Sequence, residues 1–204
     1  MKEDTWTENV ILVDADYVDS VAFDLTVNFE RMLGRRIPEA DLALWAECVA
    51  MDGGLREGDH QTSLVLIHDR GQGGLRYFKP SDYAAELNGK AFSGRLGEFL
   101  ITAVATEEMA GKEQLFSDML ELTAQQKEVK RVMLVVPETT ADGLRLLLKR
   151  WDSDGRRTTL FTMQPVGGGA FCQEILGYSL MAALGISGRE VDECLERHTV
   201  SDVQ

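Results

Sequence analysis

Predominantly apolar runs recur along the chain, and they constrain its fold more than any other feature. A strand that is apolar on both faces must be covered on both sides, which is typical of parallel sheets with helices above and below them. The runs that are rich in branched residues are 9–13 (NVILV), 98–106 (EFLITAVAT), 131–136 (RVMLVV) and 158–163 (TTLFTM). They predict the strands of a mainly parallel sheet.

Segments with apolar residues at helical spacing separate these runs. The predicted helices cover residues 25–33, 38–52, 113–128, 140–151 and 170–185, and a last one begins at Ser187. Strands that alternate with helices of this length predict an α/β fold, a three-layer α/β/α arrangement with a mainly parallel sheet. No Pro/Ser-rich linker interrupts the pattern, so residues 1–204 are expected to form a single domain.

Residues 55–95 differ in character from the rest of the chain. SLVLIHD (63–69) and LRYFKP (75–80) are two β-rich runs separated by a glycine-rich turn, a pattern typical of a β-hairpin. We therefore expect residues 55–95 to be an insertion or an edge extension of the sheet that contains this inserted hairpin.

The charge of the chain excludes one class of function. With 34 acidic and 21 basic side chains the net charge is −13, so the whole surface is not that of a nucleic-acid binder. One segment is nevertheless basic and interleaved with aromatic residues, and it offers a local groove for RNA or phosphate. The alternative is that its rings pack in the core or against a dimer mate. The basic residues are Arg70, Arg76, Lys79, Lys90 and Arg95, and the aromatic residues are Tyr77, Phe78, Tyr83 and Phe92.

Cysteine usage and hydropathy bear on the compartment. Cys48, Cys172 and Cys194 are an odd number without a C-x-x-C spacing, which fits a reducing compartment better than a disulfide framework or a zinc site. The first ten residues lack the basic and apolar regions of a signal peptide, and no apolar stretch has the roughly 18 residues of a membrane span. We expect a cytoplasmic protein that does not enter membranes.

Acidic residues follow several predicted strands. Ligands of open α/β sheets bind at the carboxyl ends of the strands. Asp14 and Asp16 follow the first strand, Asp69 follows the run that begins at residue 63, and Glu138 and Asp142 follow RVMLVVP. If the first and last pairs converge, their carboxylates suit Mg²⁺ or Mn²⁺, and such a metal activates water for attack on a phosphodiester. The alternative is that these residues cap helices or are solvated.

Three segments together follow the pattern of a known family. VILVDADYVD (10–19) is an apolar strand that ends in Asp and is followed by a second acidic residue, and residues 111–136 look like a K-x-x-D-x-x-L-x-x-D helix followed by a central strand. Residues 137–161 lie where a Ser-Gly-Asp-x-Asp run, a helix, a glycine turn and another strand are found in that family. In these segments the chain resembles the NYN domains of the PIN-like nuclease superfamily.

The resemblance implies a ribonuclease fold that depends on Mg²⁺ or Mn²⁺. It implies Asp14 as the metal ligand of the first strand, Asp118 as the carboxylate of the helix, and Glu138 or Asp142 in the place of the third acidic cluster. With Asp16 the expected metal ligands are Asp14, Asp16, Asp118, Glu138 and Asp142, and the expected catalytic residues are Asp14, Asp118 and Glu138.

Three departures from the family pattern imply a second hypothesis. Pro137 stands where the family has a small-residue turn and the first Asp of its run, Glu113 replaces an Asp, and residues 55–95 have no counterpart in a minimal NYN domain. The second hypothesis is a catalytically silent α/β domain that acts through oligomerisation, as a homodimer, or through protein–protein interaction. The aromatic residues of the predicted hairpin and the apolar final helices are the surfaces expected to carry such contacts.

Overall fold

The computed structural model describes residues 6–107, 111–153, 155–167 and 171–201. Its strands are β1 (Asn9–Asp14), β2 (Ala40–Asp41), β3 (His60–His68), β4 (Phe78–Lys79), β5 (Ala91–Gly94), β6 (Gly97–Ala105), β7 (Arg131–Val135), β8 (Arg157–Thr162) and β9 (Cys172–Ile175). Its helices are α1 (Ala15–Leu33), α2 (Leu42–Asp52), α3 (Lys112–Gln125), α4 (Glu138–Ser153), α5 (Leu176–Ala183) and α6 (Gly188–Ser201), and Tyr83–Leu87 form one π-helical turn.

Seven of the strands form one sheet in the order β5-β6-β3-β1-β7-β8-β9. All neighbours in it are parallel except β5 and β6. The six parallel strands are, in chain order, β1, β3, β6, β7, β8 and β9, and counted this way they lie across the sheet in the order 3-2-1-4-5-6. This is the order of a doubly wound fold, whose ligand crevice lies between the first and the fourth parallel strand. The predicted α/β class with a mainly parallel sheet is confirmed, and the crevice is expected between β1 and β7.

Two hydrophobic cores cover the two faces of the sheet. On one face Ile11 of β1 belongs to the core that includes Trp45 of α2 and residues of α1 and α5. On the other face Leu12 belongs to the core that includes Phe116 of α3 and Leu148 of α4. Because adjacent residues of β1 point to opposite cores, the strand is apolar throughout, as its sequence predicts.

Helix α1 begins ten residues earlier than its apolar spacing predicts. The side chain of Asp14 accepts a hydrogen bond from the Tyr17 backbone N–H at 3.1 Å and so caps the helix directly after β1. The helix ends at Gly34, whose φ of +66° suits a residue without a side chain. This tight β1–α1 connection places Asp14 and Asp16 at the mouth of the expected crevice.

The prediction of a hairpin over residues 63–80 is wrong. β3 is hydrogen-bonded to β1 on one side and to β6 on the other, so it has no free edge for the segment LRYFKP. That segment instead contributes β4, which pairs in parallel with β2 in a separate two-stranded sheet. The antiparallel pair of the structure is β5 with β6, joined at Arg95 and Leu96.

The end of the chain differs from its prediction in one element. The helix predicted for residues 170–185 begins only at Leu176, because Cys172–Ile175 pair with β8 as the last parallel strand. At the start of α6 the Ser187 hydroxyl accepts a hydrogen bond from the Glu190 N–H, as expected for a cap. Among the described residues, none of the helices combines the length and the apolar character that crossing a bilayer demands.

Candidate functional site

An ammonium group lies among three carboxylates at the carboxyl edge of the sheet. Lys112, the first residue of α3, places its Nζ 3.0 Å from Asp14 Oδ1 and 2.7 Å from Asp16 Oδ2. Asp69, directly after β3, has Oδ1 3.3 Å from the same nitrogen. Asp16 Oδ2 also accepts a hydrogen bond from the Asp69 backbone N–H at 2.7 Å. We call Asp14, Asp16, Asp69 and Lys112 the lysine–carboxylate cluster.

Burial governs the electrostatics of this cluster. The Asp14 side chain is 8 % exposed, and burial raises its pKa although the Tyr17 N–H and the Lys112 ammonium oppose the rise. Burial alone would lower the pKa of Lys112, but the hydrogen bond to Asp16 and the charge of Asp14 outweigh it, so the pKa of Lys112 is raised. The ammonium therefore stays charged at neutral pH and offsets one negative charge of the cluster.

The lysine–carboxylate cluster does not fit a divalent metal as it is arranged. Mg²⁺ requires oxygen ligands at about 2.0–2.1 Å in octahedral geometry, whereas the carboxylate oxygens surround the Lys112 nitrogen at 2.7 to 3.3 Å. Within the described ranges no three Asp, Glu, His or Cys side chains form a group suited to a metal ion. The position that a cation would take between Asp14 and Asp16 is filled by the chain's own ammonium.

The other three predicted metal ligands have partners of their own. The exposed Asp118 accepts a hydrogen bond from Gln114 Nε2 at 2.7 Å, one turn earlier on α3. Asp142 is paired with Arg145 on α4. Glu138 begins α4 and accepts a hydrogen bond from the Gln164 N–H at 2.8 Å. The structure thus brings together Asp14 and Asp16 of the predicted set and adds Asp69 and Lys112.

Tyr17 lies near Asp14 and Glu138, whose charges both act on it. Its hydroxyl is buried and has no partner within hydrogen-bond geometry among the described residues. Burial, followed by the charges of Glu138 and Asp14, raises the pKa of Tyr17 to about 12. The phenol is therefore neutral at physiological pH. Sequence reasoning missed Tyr17, although its position three residues after Asp14 puts it in the first turn of α1.

A cleft of about 320 Å³ adjoins the lysine–carboxylate cluster. Asp19 lines it and accepts hydrogen bonds from the backbone N–H groups of Arg76, at 3.0 Å, and Tyr77, at 2.8 Å. Phe23 is 42 % exposed and packs its ring 5.1 Å from that of Tyr77. We call this the acidic–aromatic cleft; its lining residues include Asp16, Asp19, Phe23, Arg76, Tyr77 and Tyr83.

The aromatic side chains of residues 77–92 pack mainly into the protein. Phe78 and Tyr83 are buried, Tyr83 stacks on His68 with ring centroids 3.9 Å apart, and Phe92 stacks on Phe99 at 4.7 Å. Tyr77 is half-buried against Phe23 and lines the acidic–aromatic cleft. The structure therefore supports the alternative in which these rings pack in the core, on the α2 side of the sheet.

The five basic residues predicted to contact RNA or phosphate have different environments. Lys79 pairs with Glu39, with 2.5 Å between Nζ and Oε2, and Arg95 lies against Glu47, which also accepts the Arg95 N–H at 2.9 Å. Arg76 lines the acidic–aromatic cleft. Arg70 donates its backbone N–H to the Thr106 hydroxyl, and Lys90 is exposed beyond the π-helical turn.

The three cysteines differ in burial, with Cys172 exposed, Cys48 half-buried and Cys194 buried. The Cys194 thiol donates a hydrogen bond to the Met32 carbonyl. Burial raises the pKa of the Cys48 thiol, so its environment disfavours a thiolate.

Comparison with known proteins places the chain in a family. No curated protein and no solved structure matches the sequence. One family model, described as a family of unknown function (DUF6621), matches residues 3–191, which is nearly the whole chain. The protein therefore belongs to the DUF6621 family.

Proposed function

We propose that this protein is an NYN/PIN-like α/β domain that is catalytically silent and acts through protein–protein interaction at the acidic–aromatic cleft. The observation that carries the proposal is the position of Lys112, whose ammonium lies within 3.3 Å of oxygens of Asp14, Asp16 and Asp69. The ammonium takes the place between these carboxylates that a divalent metal takes in a metal-dependent nuclease, but it has no coordination position at which a water could be bound and activated.

The placement of the other acidic residues supports the same conclusion. A two-metal or one-metal phosphodiesterase needs several carboxylates that converge on one point. Asp118 and Asp142 are each occupied by a neighbour on their own helix, Gln114 and Arg145. The departures at Pro137 and Glu113 from the NYN pattern agree with a site that lacks these two carboxylates.

The chemistry of the acidic–aromatic cleft favours a basic segment of a partner protein. Asp16 and Asp19 line the cleft with one basic residue, Arg76, so acidic side chains outnumber basic ones, and the partly exposed ring of Phe23 stands beside them. Carboxylates next to an open aromatic ring suit an arginine or lysine side chain, through ion pairing and a cation–π contact. The net charge of −13 attracts such a partner at long range and opposes self-association through this surface.

A peptide of alternating arginine and glycine tests this proposal, with binding followed by fluorescence anisotropy at physiological salt. Phe23→Ser keeps the net charge and removes the ring, and we expect binding about two- to fivefold weaker, the equivalent of one exposed cation–π contact. Leu146→Ser is the matched control, since Leu146 is 78 % exposed on α4, away from the cleft. Equal binding by both variants would show that only the net charge attracts the peptide.

A divalent-metal-dependent ribonuclease is the second candidate function. The observation that favours it is that oxygens of three carboxylates surround one point at the carboxyl ends of β1 and β3. Cleavage of a single-stranded RNA in the presence of Mg²⁺ or Mn²⁺ tests it, with Asp14→Asn as the control for contaminating nucleases. Cleavage that Asp14→Asn abolishes would replace the silent-domain proposal with the ribonuclease, and the silent domain predicts no difference between the two proteins.

A further inference from the structure

Two arginines lie side by side at the amino edge of the sheet, opposite to the lysine–carboxylate cluster. Arg131 begins β7 and Arg157 begins β8, and the two residues are direct partners in the parallel register. Residues in register on parallel strands point to the same face and are about 4.8 Å apart. The two guanidinium groups therefore start from adjacent positions on the face that α2 covers.

Arg131 has a buried hydrogen-bond donor without an acceptor among the described residues. Its Nη1 donates to Asn9 Oδ1 at 3.0 Å, across the neighbouring strand β1. Its Nε is buried and has no hydrogen-bond partner in the described part of the chain. A guanidinium group usually satisfies Nε and one Nη together, on the two oxygens of a carboxylate or phosphate. In Arg131 the Nη1 group is hydrogen-bonded and the Nε group is not.

Arg157 lies flat over the backbone that follows α2. A Cβ on Gly54 would stand 2.6 Å from Arg157 Cζ and within 2.9 Å of both of its Nη atoms, so the guanidinium occupies the space that a side chain would fill. Arg56 lies two residues further along the same loop and donates to the Leu55 carbonyl at 3.2 Å. Among the described residues no acidic side chain is within ion-pair distance of Arg56, Arg131 or Arg157.

The three positive charges act on one another. Burial lowers the pKa of Arg131, and the charges of Arg157 and Arg56 lower it further. Glu8 opposes this effect on Arg131, but the Glu8 carboxylate is itself hydrogen-bonded to Lys130 at 2.7 Å. Like charges in register on neighbouring strands destabilise a sheet unless a counter-charge lies between them. This cluster is uncompensated although the chain as a whole carries a charge of −13.

We propose that Arg56, Arg131 and Arg157 form a binding site for a phosphate group, either free phosphate or a phosphomonoester. A phosphate dianion offers oxygens to the exposed Arg157, and its charge reduces the repulsion that Arg157 and Arg56 exert on the neighbouring Arg131, whose guanidinium lacks an acidic partner among the described residues. Three arginines suit a dianion better than a single carboxylate, because one negative charge would leave two positive charges unbalanced. This site is independent of the acidic–aromatic cleft and of its proposed partner.

A structural role for Arg157 makes the opposite prediction about stability. The carboxyl end of α2 lies at Asp52, and a cation near a helix carboxyl terminus stabilises the helix through its dipole. If Arg157 serves only that purpose, replacing it lowers the melting temperature and phosphate has no effect. If Arg157 belongs to an unfilled phosphate site, replacing it in phosphate-free buffer raises the melting temperature, because a repulsion disappears.

Thermal unfolding in inorganic phosphate and in chloride at equal pH and ionic strength tests the phosphate site. We expect phosphate to raise the melting temperature of the wild type and of Arg36→Gln, an exposed arginine that loses the same charge elsewhere. Arg157→Gln should weaken phosphate binding about tenfold or more, since it removes a charge-assisted hydrogen bond. Arg56→Gln, a loop substitution that leaves the sheet untouched, should weaken it as well.

The result that overturns the site is a wild-type melting temperature that phosphate does not change relative to chloride, or a shift that Arg157→Gln and Arg56→Gln both retain. Glycerol 2-phosphate in place of inorganic phosphate separates the two sources of the ligand. A larger shift with glycerol 2-phosphate assigns the site to phosphomonoesters, and a larger shift with inorganic phosphate assigns it to the free ion. Line broadening of the ³¹P resonance by wild-type protein, absent with Arg157→Gln, provides the readout if a variant is too unstable to melt cooperatively.

Discussion

The two ends of the same sheet arrange their charges in opposite ways. At the carboxyl edge the ammonium of Lys112, which the chain supplies from the start of α3, fills the space between Asp14 and Asp16. At the amino edge Arg131 and Arg157 are adjacent in register and have no acidic partner among the described residues. An edge that supplies its own counter-charge gains less from a bound ion than an edge that supplies none. We therefore expect ligand binding at the arginine edge rather than at the carboxylate edge.

Removing the internal cation should produce the largest effect. In Lys112→Met the buried Asp14 loses its counter-charge, and we expect the free energy of unfolding to fall by about 2 kcal/mol. This is less than the loss expected for a fully buried ion pair, because Asp69, another partner of Lys112, is half exposed. Urea unfolding at neutral pH measures it, and Lys127→Met, at an exposed lysine beyond α3, is the control.

The double variant Lys112→Met/Asp14→Asn separates lost charge balance from lost packing. Asn still caps α1 and carries no charge, so much of the lost stability should return. If Lys112→Met unfolds at the same urea concentration as the wild type, the ammonium does not balance the carboxylates, and the contrast between the two edges fails.

Two buried threonines give a smaller test of the difference between satisfied and unsatisfied polar groups. Thr62 aligns with Asn9 at the amino edge, and its buried hydroxyl has no partner, so Thr62→Val should raise the free energy of unfolding by about 1 kcal/mol. The equally buried Thr123 donates its hydroxyl to the Leu120 carbonyl at 2.8 Å, and Thr123→Val should lower the free energy of unfolding by about 1 kcal/mol. Chemical denaturation compares the two, and shifts of the same sign would contradict the assignment.

The pH dependence of stability should show the smallest effect. Because burial raises the pKa of Asp14 above its ordinary value of 3.8, its contribution to stability is complete below that value and is lost as the pH rises through the higher pKa of the folded state. Asp14→Asn lacks this titration, so its stability relative to the wild type should increase over the same range. Asp24→Asn, on the exposed face of α1, is the control and should follow the wild type at every pH.

The sheet could be predicted from the sequence because its strands are buried on both faces. β1 and β7 contain apolar runs with no alternation, and β8 (RTTLFT) is buried at every position after its first residue; each of them is a central parallel strand. The same property should have excluded the hairpin at residues 63–80, since SLVLI is apolar at consecutive positions and must be covered on both sides. β2 and β4 could not be predicted, because strands of two residues are too short for a pattern of alternating apolar residues.

The candidate site could be predicted only in part. Asp14 and Asp16 follow from the rule that ligand-facing residues come after a strand. Lys112 could not be placed, because its contact with Asp14 spans 98 positions and depends on the path of the chain between β6 and α3. The neighbours of Asp118 and Asp142 were visible in the sequence, since Gln114 and Arg145 stand four and three residues away on the same helices and such pairs face each other.

The most direct test of the account is the melting temperature of the wild-type protein in Mg²⁺, Mn²⁺ and Ca²⁺ at millimolar concentration and constant ionic strength. A cation that binds only the folded protein at a hundredfold excess over its dissociation constant adds about 2.7 kcal/mol of stability. Because Lys112 occupies the space between Asp14 and Asp16, we predict no metal-dependent change. A rise in melting temperature that Asp14→Asn abolishes would contradict the account and restore the metal-dependent ribonuclease.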